Sequence, residues 1–187
     1  MLDAALSIVV AQGTAAVTMT SVAEHLGVTK PVVYACFAAR EDVLLALLER
    51  EEQALLAGVL AALPENPRFD DPERLLVDGF RALFKVVADR PASWRIVFAA
   101  GADPAIAERF AQGRAVVTRQ VAELMAPALR QWDMPDAERK LPVLVETFVG
   151  AAEGAVRAML QAGDTWTADE LGEFVGTTLF RALRGTS

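Results

Sequence analysis

Apolar residues recur along the chain three and four positions apart, the spacing of helices, and no segment alternates with the period of two that a half-buried strand requires. Leu2, Ala5, Leu6 and Val9 form a first short stripe closed by Gly13. Val22, Ala23 and Leu26 form a second closed by Gly27, and Val33 and Phe37 mark a third. None is long enough to be stable alone, so the three must share one small core. A long helix follows from about Glu41 to Leu63, where Pro64 and Pro67 interrupt it. Pro72 opens the next helix, with Leu76, Phe80, Leu83, Phe84 and Val87 as its stripe, and Pro91 opens a short one carrying Trp94, Val97 and Phe98. Ile106, Phe110, Val117, Val121 and Leu124 come next, with Pro127 and Pro135 bounding that helix. A helix from about Asp136 to Ala162 is apolar on two sides: Leu141, Leu144, Phe148, Ala152, Ala155 and Met159 form one row, Val145, Val149, Val156 and Leu160 the other. A final helix from about Ala168 carries Leu171, Phe174, Val175 and Thr178. The pattern predicts an all-α fold of about nine helices, with a small head over residues 1–40 and a body over 41–187.

The densest local information lies between Thr18 and Tyr34. Two short helices crossing at a steep angle need a small residue at the crossing, and Ala23 supplies it. Gly27 suits the left-handed residue that closes the first helix, and Val28 is expected to plug the turn into the core. Thr29 suits the cap of the second helix, and Pro31 falls in its first turn, where a missing N–H costs little. The start of that second helix is then free to enter a major groove.

The order Thr-x-x-x-Val-Ala-x-x-x-Gly-Val-Thr-Lys-Pro-Val-Val-Tyr-x-x-Phe from Thr18 to Phe37, followed by Arg40 and a long helix, closely resembles the signature of the TetR family of transcriptional regulators. The resemblance covers about 40 residues; the body fits in helix count, length and spacing. It implies a ligand-responsive regulator, a repressor, that binds operator DNA as a homodimer and is released by an apolar small-molecule effector. Thr18, Tyr34 and Arg40 would then hold phosphates, while Lys30, Thr20 and Ser21 reach base edges, with Thr29 beside them. Pro31 and Val32 would meet thymine methyls. The same resemblance implies a pocket between the middle helices, lined by Leu55, Val59, Phe80, Phe84, Trp94, Phe98, Phe110, Val121 and Phe148. The second row of the two-sided helix, with the last helix, would form a four-helix dimer interface through Val145, Val149, Ala152, Val156, Leu160, Phe174 and Thr178.

Three departures stand out. Helix 1 begins almost at Met1, so the basic stretch usual before it is either absent or lies upstream; Ala35 and Cys36 stand where aromatic or histidine side chains are usual; and Ala39 replaces the usual hydroxyl cap of the long helix. They predict weaker and more salt-sensitive DNA binding.

Composition changes this picture in one respect. The net charge of −7, with Lys30, Arg40 and Arg50 against five anions in the first 50 residues, is unfavourable for a DNA binder, since phosphate neutralisation supplies much of nucleic-acid affinity. A second reading is therefore a helical small-molecule-binding dimer whose head no longer binds DNA. One histidine, His25, and one cysteine, Cys36, give no constellation for nucleophilic catalysis or a metal, so no enzyme activity, cofactor or metal is expected. Glu146, Glu153 and Arg157 are expected to pair along one helix surface. No apolar run reaches membrane-spanning length and the start lacks the flank of a signal peptide, which predicts a cytoplasmic protein with no membrane partner.

Overall fold

A computed structural model describes residues 1–65, 67, 69–100 and 104–184, and among these every regular element is helical. Helix α1 is Leu2–Gln12, and a 3-10 turn at Thr14–Ala16 leads to α2 (Met19–Leu26) and α3 (Lys30–Tyr34). Helix α4 (Arg40–Ala62) is followed by α5 (Pro72–Asp89), α6 (Pro91–Ala100), α7 (Pro104–Gln131), α8 (Ala137–Ala162) and α9 (Ala168–Arg184).

The three stripes of the head do share one core. Ala5, Val22 and Val33 are fully buried there with Ile8, Val17 and Ala23. The same cluster takes in Val43 and Leu47 from the first turns of α4, and Ile96 from α6. The head is thus packed onto two helices that belong to the rest of the chain. A second cluster fills the body, with Leu55 of α4, Phe80, Phe84 and Val87 of α5, Trp94 and Val97 of α6, Val156 of α8 and Leu171 of α9. A third joins Val121 of α7 to Val145 and Val149 of α8.

One boundary departs from expectation, and two helix starts carry caps that periodicity does not show. Helix α7 runs through Pro127 to Gln131. The missing N–H and the ring clash cost a helix about 3 kcal/mol, but the turn that follows buries Ala128 and Leu129 almost completely. It also positions Trp132, whose Nε1 donates to the Phe69 carbonyl at 2.8 Å. The chain then turns through Asp133 and Asp136, both with positive φ, before α8 begins. Helix α4, lacking a hydroxyl at Ala39, is closed instead from inside: Asp42 Oδ2 accepts the Ala39 N–H at 2.9 Å. Helix α9 has a reciprocal cap that the periodicity did not reveal. Glu170 Oε2 accepts from the Thr167 N–H at 3.0 Å and its own N–H donates to Thr167 Oγ1 at 3.2 Å. The Thr167 N–H and hydroxyl, both donating to Oε2, hold the exposed Glu170 carboxyl below the usual carboxylate range.

Helix α9 lies along α5 at unusually close range. A Cβ at Gly176 would stand 2.6 Å from Val77 Cα, and one at Gly172 2.6 Å from the Arg81 nitrogen, both backbone atoms that cannot yield locally. Gly79 of α5, by contrast, has nothing within 4 Å of such a Cβ. We expect Gly176→Ala to lower stability by about 1–3 kcal/mol in urea unfolding, as overpacking does. Gly79→Ala should be neutral or raise it by about 0.5–1 kcal/mol through helix propensity. Equal effects of the two would show that α5 and α9 are not packed this tightly.

Candidate DNA-binding head and effector cavity

The head presents a helix-turn-helix held together mainly by its own caps. Thr18 Oγ1 accepts the Ser21 N–H at 2.9 Å, and Ser21 Oγ accepts the Thr18 N–H at 2.9 Å. The Ser21 hydroxyl donates to the Ala16 carbonyl at 2.8 Å. Gly27, at φ 65°, closes α2 in the left-handed conformation, and the Val28 N–H returns to the Ala23 carbonyl at 3.0 Å. Val28 itself does not plug the turn: it is 38% exposed, and Val22, Ala23 and Val33 fill that space.

Helix α3 therefore offers an open surface. Thr29, Lys30, Pro31, Val32 and Tyr34 are all exposed, while Thr20 at the start of α2 is partly covered. The Thr29 hydroxyl makes no capping bond to α3. Two residues expected at DNA have other work. Ser21 is engaged in the cap and in its bond to Ala16, so it is not free to read a base edge. Arg40 is likewise turned inward: its Nε donates to the Val17 carbonyl at 2.7 Å and a terminal nitrogen to the Thr14 carbonyl at 2.8 Å. Its guanidinium ties α4 to the turn before α2, which corrects its reading as a phosphate contact. Thr18 is exposed but spends its hydroxyl as a cap.

The number of free cations in the head bears on how DNA binding would depend on salt. The steepness of salt dependence scales with the number of phosphates neutralised. Residues 1–40 hold two cations, Lys30 and Arg40, and the second is bonded within the head. Weak binding here goes with a shallow salt dependence.

Behind the head, α4 to α8 surround a cavity of about 220 Å³. This lies below the range of roughly 300–1,000 Å³ common for ligand pockets, so a small or slender occupant suits it. Of the residues expected to line it, Leu55, Val59, Phe80, Trp94, Phe98, Val121 and Phe148 do. Phe84 does not: it is fully buried behind Phe80, their ring centroids 5.9 Å apart, and has no face on the cavity. The Phe110 side chain lies outside the described residues. The wall also includes Pro67, Phe69, Met125 and Trp132, which sequence periodicity missed because they sit in a loop and beyond a helix-breaking proline.

Helix α8 overturns much of the expected dimer surface. Val145, Val149 and Val156 are buried within the chain, at 2–4% exposure, and Val149, Ala152 and Val156 line the cavity. Leu160 packs into the body cluster. Both apolar rows face inward: Leu141, Val145 and Val149 in the first half of α8 pack with α7, and Ala152, Ala155, Val156, Met159 and Leu160 in the second half join the body cluster. A third row is left outside: Val143, Thr147, Gly150, Gly154 and Ala158, all exposed. Phe174, 57% exposed and paired with Trp166 at 5.6 Å, and Thr178 are exposed on α9 as expected.

Polar groups around the cavity form two networks. Near its α7–α8 side, Arg114 donates Nε to Glu153 at 2.9 Å and its terminal nitrogens to Glu146 at 2.8 and 3.3 Å. The bond from Glu146 outweighs desolvation and raises the Arg114 pKa, while Arg114 holds the Glu146 carboxyl below its ordinary value. Glu146 and Glu153 thus share a cation on α7 rather than Arg157, which instead stacks on the Phe98 ring at 5.3 Å.

The second network joins head, α4 and α6. Glu51, 2% exposed, accepts the Ser93 hydroxyl at 2.6 Å and Arg50 Nε at 2.8 Å. Arg50 also reaches Asp3 of α1 at 2.6 Å. Desolvation works to lower the Arg50 pKa, but its bonds to Glu51 and Asp3 prevail and raise it. Helix α6 consequently has two faces. Ser93 and Ile96 meet α4 and the head core, while Trp94, Val97 and Phe98 line the cavity.

The fold and head define an all-α protein with an N-terminal helix-turn-helix and a cavity-bearing helical body; no group of three metal-ligating side chains occurs among the described residues. Residues 1–47, the head and the first turns of α4, match the model of bacterial regulatory proteins of the tetR family. It is 32% identical over 98 residues to the HTH-type transcriptional activator FasR of Mycolicibacterium smegmatis, a match spanning 52% of this chain and 43% of that protein. The fold resembles that of the TetR family regulator PfmR from Thermus thermophilus, with TM-score 0.71, 16% identity and 96% of each chain covered. It also resembles a TetR-like regulator from Rhodococcus sp. RHA1, with TM-score 0.70, 19% identity, and 98% and 93% of the two chains covered.

Proposed function

We propose that the chain is a ligand-responsive repressor that binds operator DNA as a homodimer and lets go when a small apolar molecule enters the cavity. The observation that carries this reading is the run of one helix, α4, from the head core at Val43 and Leu47 to the cavity wall at Leu55 and Val59. The functional head is then residues 1–40 extended by the first two turns of α4. A ligand among Leu55, Val59, Trp94 and Phe98 presses on α4 and α6 together, and Glu51–Ser93 binds those two helices to each other. Operator half-sites need recognition helices roughly 34–36 Å apart, so a small tilt of α4 in each subunit spoils the fit to both grooves. Ligand and operator then oppose one another, with a coupling of about 1–3 kcal/mol. Opposition is the behaviour of a repressor; FasR is named an activator, and a promoter reporter with and without effector decides the sign.

On DNA, Lys30 reads a base edge, Pro31 and Val32 meet thymine methyls, and Tyr34 holds a phosphate. The alternative of a head that has lost DNA draws on the single uncommitted cation in residues 1–40. Selection of bound fragments from genomic DNA distinguishes the two, since enrichment of a two-fold symmetric site is expected only of a working head. On such a site Lys30→Ala should cost about 1–3 kcal/mol and relax preference at one or two positions per half-site. Tyr34→Phe should weaken operator and random DNA alike. With at most two cations per head, the slope of log K against log salt should be no steeper than about −4 for the dimer. A slope near −8, or equal loss on both DNAs for Lys30→Ala, contradicts this assignment.

The dimer face proposed is the outer row of α8, Val143, Thr147, Gly150, Gly154 and Ala158, together with Trp166, Phe174 and Thr178. Small residues let a partner helix approach closely, and apart from the helix's own nearby backbone nothing among the described residues comes within 4 Å of a Cβ placed at Gly150 or Gly154. We expect Gly154→Arg to leave the helical circular dichroism intact and to convert the dimer to monomer in sedimentation at micromolar concentration. A wild-type monomer, or a variant that stays dimeric, would refute this face.

A further inference from the structure

We propose that the cavity takes a lipophilic cation, an amine with an apolar body, and that Glu153 is the carboxylate that meets its ammonium group. This rests on the reading of the cavity as the effector site and gives that effector a charge. Among the described lining residues three carry charge: Glu52, Arg114 and Glu153. Arg114 is the one cation of the three, and its guanidinium is already shared between Glu153 and Glu146. A carboxylate or phosphate entering the cavity would have to displace one of these glutamates while standing beside the other. Like charges in a poorly solvated space repel strongly, so anions are disfavoured.

Glu153 offers the opposite. One of its oxygens accepts from Arg114, and the other makes no bond among the described residues. The side chain is 24% exposed and stands in a wall that is otherwise almost wholly apolar. An incoming N–H⁺ satisfies that oxygen with a charge-assisted bond, roughly twice as strong as a neutral one. The aromatic wall suits the same ligand, because ring faces attract cations. Arg157 already uses Phe98 in this way, from an exposed position outside the lining. A neutral ligand of equal size gains the apolar contacts but leaves the Glu153 oxygen as it is.

Octylammonium, 1-octanol and octanoate share one chain and differ in head group and charge at pH 7, which makes them suitable probes for the full-length chain. Trp94 and Trp132 both line the cavity, so tryptophan fluorescence reports occupancy, with calorimetry as a second readout. Octylammonium should bind at least about tenfold more tightly than octanoate, the fold-change expected of one charge-assisted bond. Glu153→Gln should erase most of that preference while octanol affinity stays within about twofold. Glu146→Gln removes the same charge from a residue outside the cavity lining and should retain the preference. Octanoate binding as tightly as octylammonium, or a preference that survives Glu153→Gln, overturns the proposal and leaves the effector cavity standing. Failure of all three probes to bind overturns the effector-cavity reading as well. Should Glu153→Gln fail to fold, the wild-type ranking of the probes decides the matter alone.

Discussion

A carboxylate buried to 2% exposure is stable only where its oxygens are engaged, and Glu51 is engaged by Arg50 of its own helix and Ser93 of α6. Arg50 neutralises it from the same helix, Ser93 bonds it from α6, and Arg50 reaches on to Asp3 in α1. Leaving a buried acceptor unsatisfied costs about 1–3 kcal/mol, which holds α4 to α6 through Ser93, whereas the exposed Arg50–Asp3 pair adds at most about 1 kcal/mol. Head, α4 and α6 are therefore constrained to move as a set, although a hydrophobic contact alone would let them slide. Ile96, buried in the head core one turn along α6 from Ser93, reinforces the same constraint.

The cavity depends on that arrangement from the other side. Helix α6 is only ten residues long, and what it gives to the head with Ser93 and Ile96 it cannot adjust independently of what it gives to the cavity with Trp94, Val97 and Phe98. In the proposed switch an occupant displaces α6, α4 or both, and the Ser93–Glu51 bond together with Ile96 in the head core passes the displacement to the head. The far side of the cavity is held more firmly. Trp132 pins the loop before α5 through the Phe69 carbonyl, and α9 is seated on α5 at glycine-permitted distance. The wall toward the head is thus joined to the DNA-binding element, and the wall away from it is braced.

Much of the head was legible in the sequence because its determinants are local. Thr18, Ala23, Gly27 and Pro31 act within a few residues of themselves, so their order alone conveys caps, crossing and turn. Arg40 was misread because its acceptors, Val17 and Thr14, lie more than twenty residues away. Periodicity revealed that α8 is apolar on two sides but not which neighbour covers each. It credited the second row to a partner subunit, whereas Val145 and Val149 pack with α7 and Val156 and Leu160 join the body cluster. Hydrophobic periodicity did not pick out the outer row, because Gly150, Gly154 and Ala158 contribute little hydrophobicity while permitting close approach. Trp132 and Phe69 were hidden for another reason: burial of Ala128 and Leu129 carries α7 past a proline that sequence rules treat as its end.

The central claim is that occupancy of the cavity changes the placement of the recognition helices. Cys36 is the only cysteine of the chain, exposed two residues beyond α3, so a spin label can be attached there without altering the sequence. In the dimer, the distance between the two labels follows the separation of the recognition helices. With the cavity empty, the distribution should be compatible with half-sites about 34–36 Å apart. Saturation with octylammonium, followed by tryptophan fluorescence, should shift it away from that spacing. An unchanged distribution at full occupancy would contradict the account, because the head would then be independent of the cavity behind it.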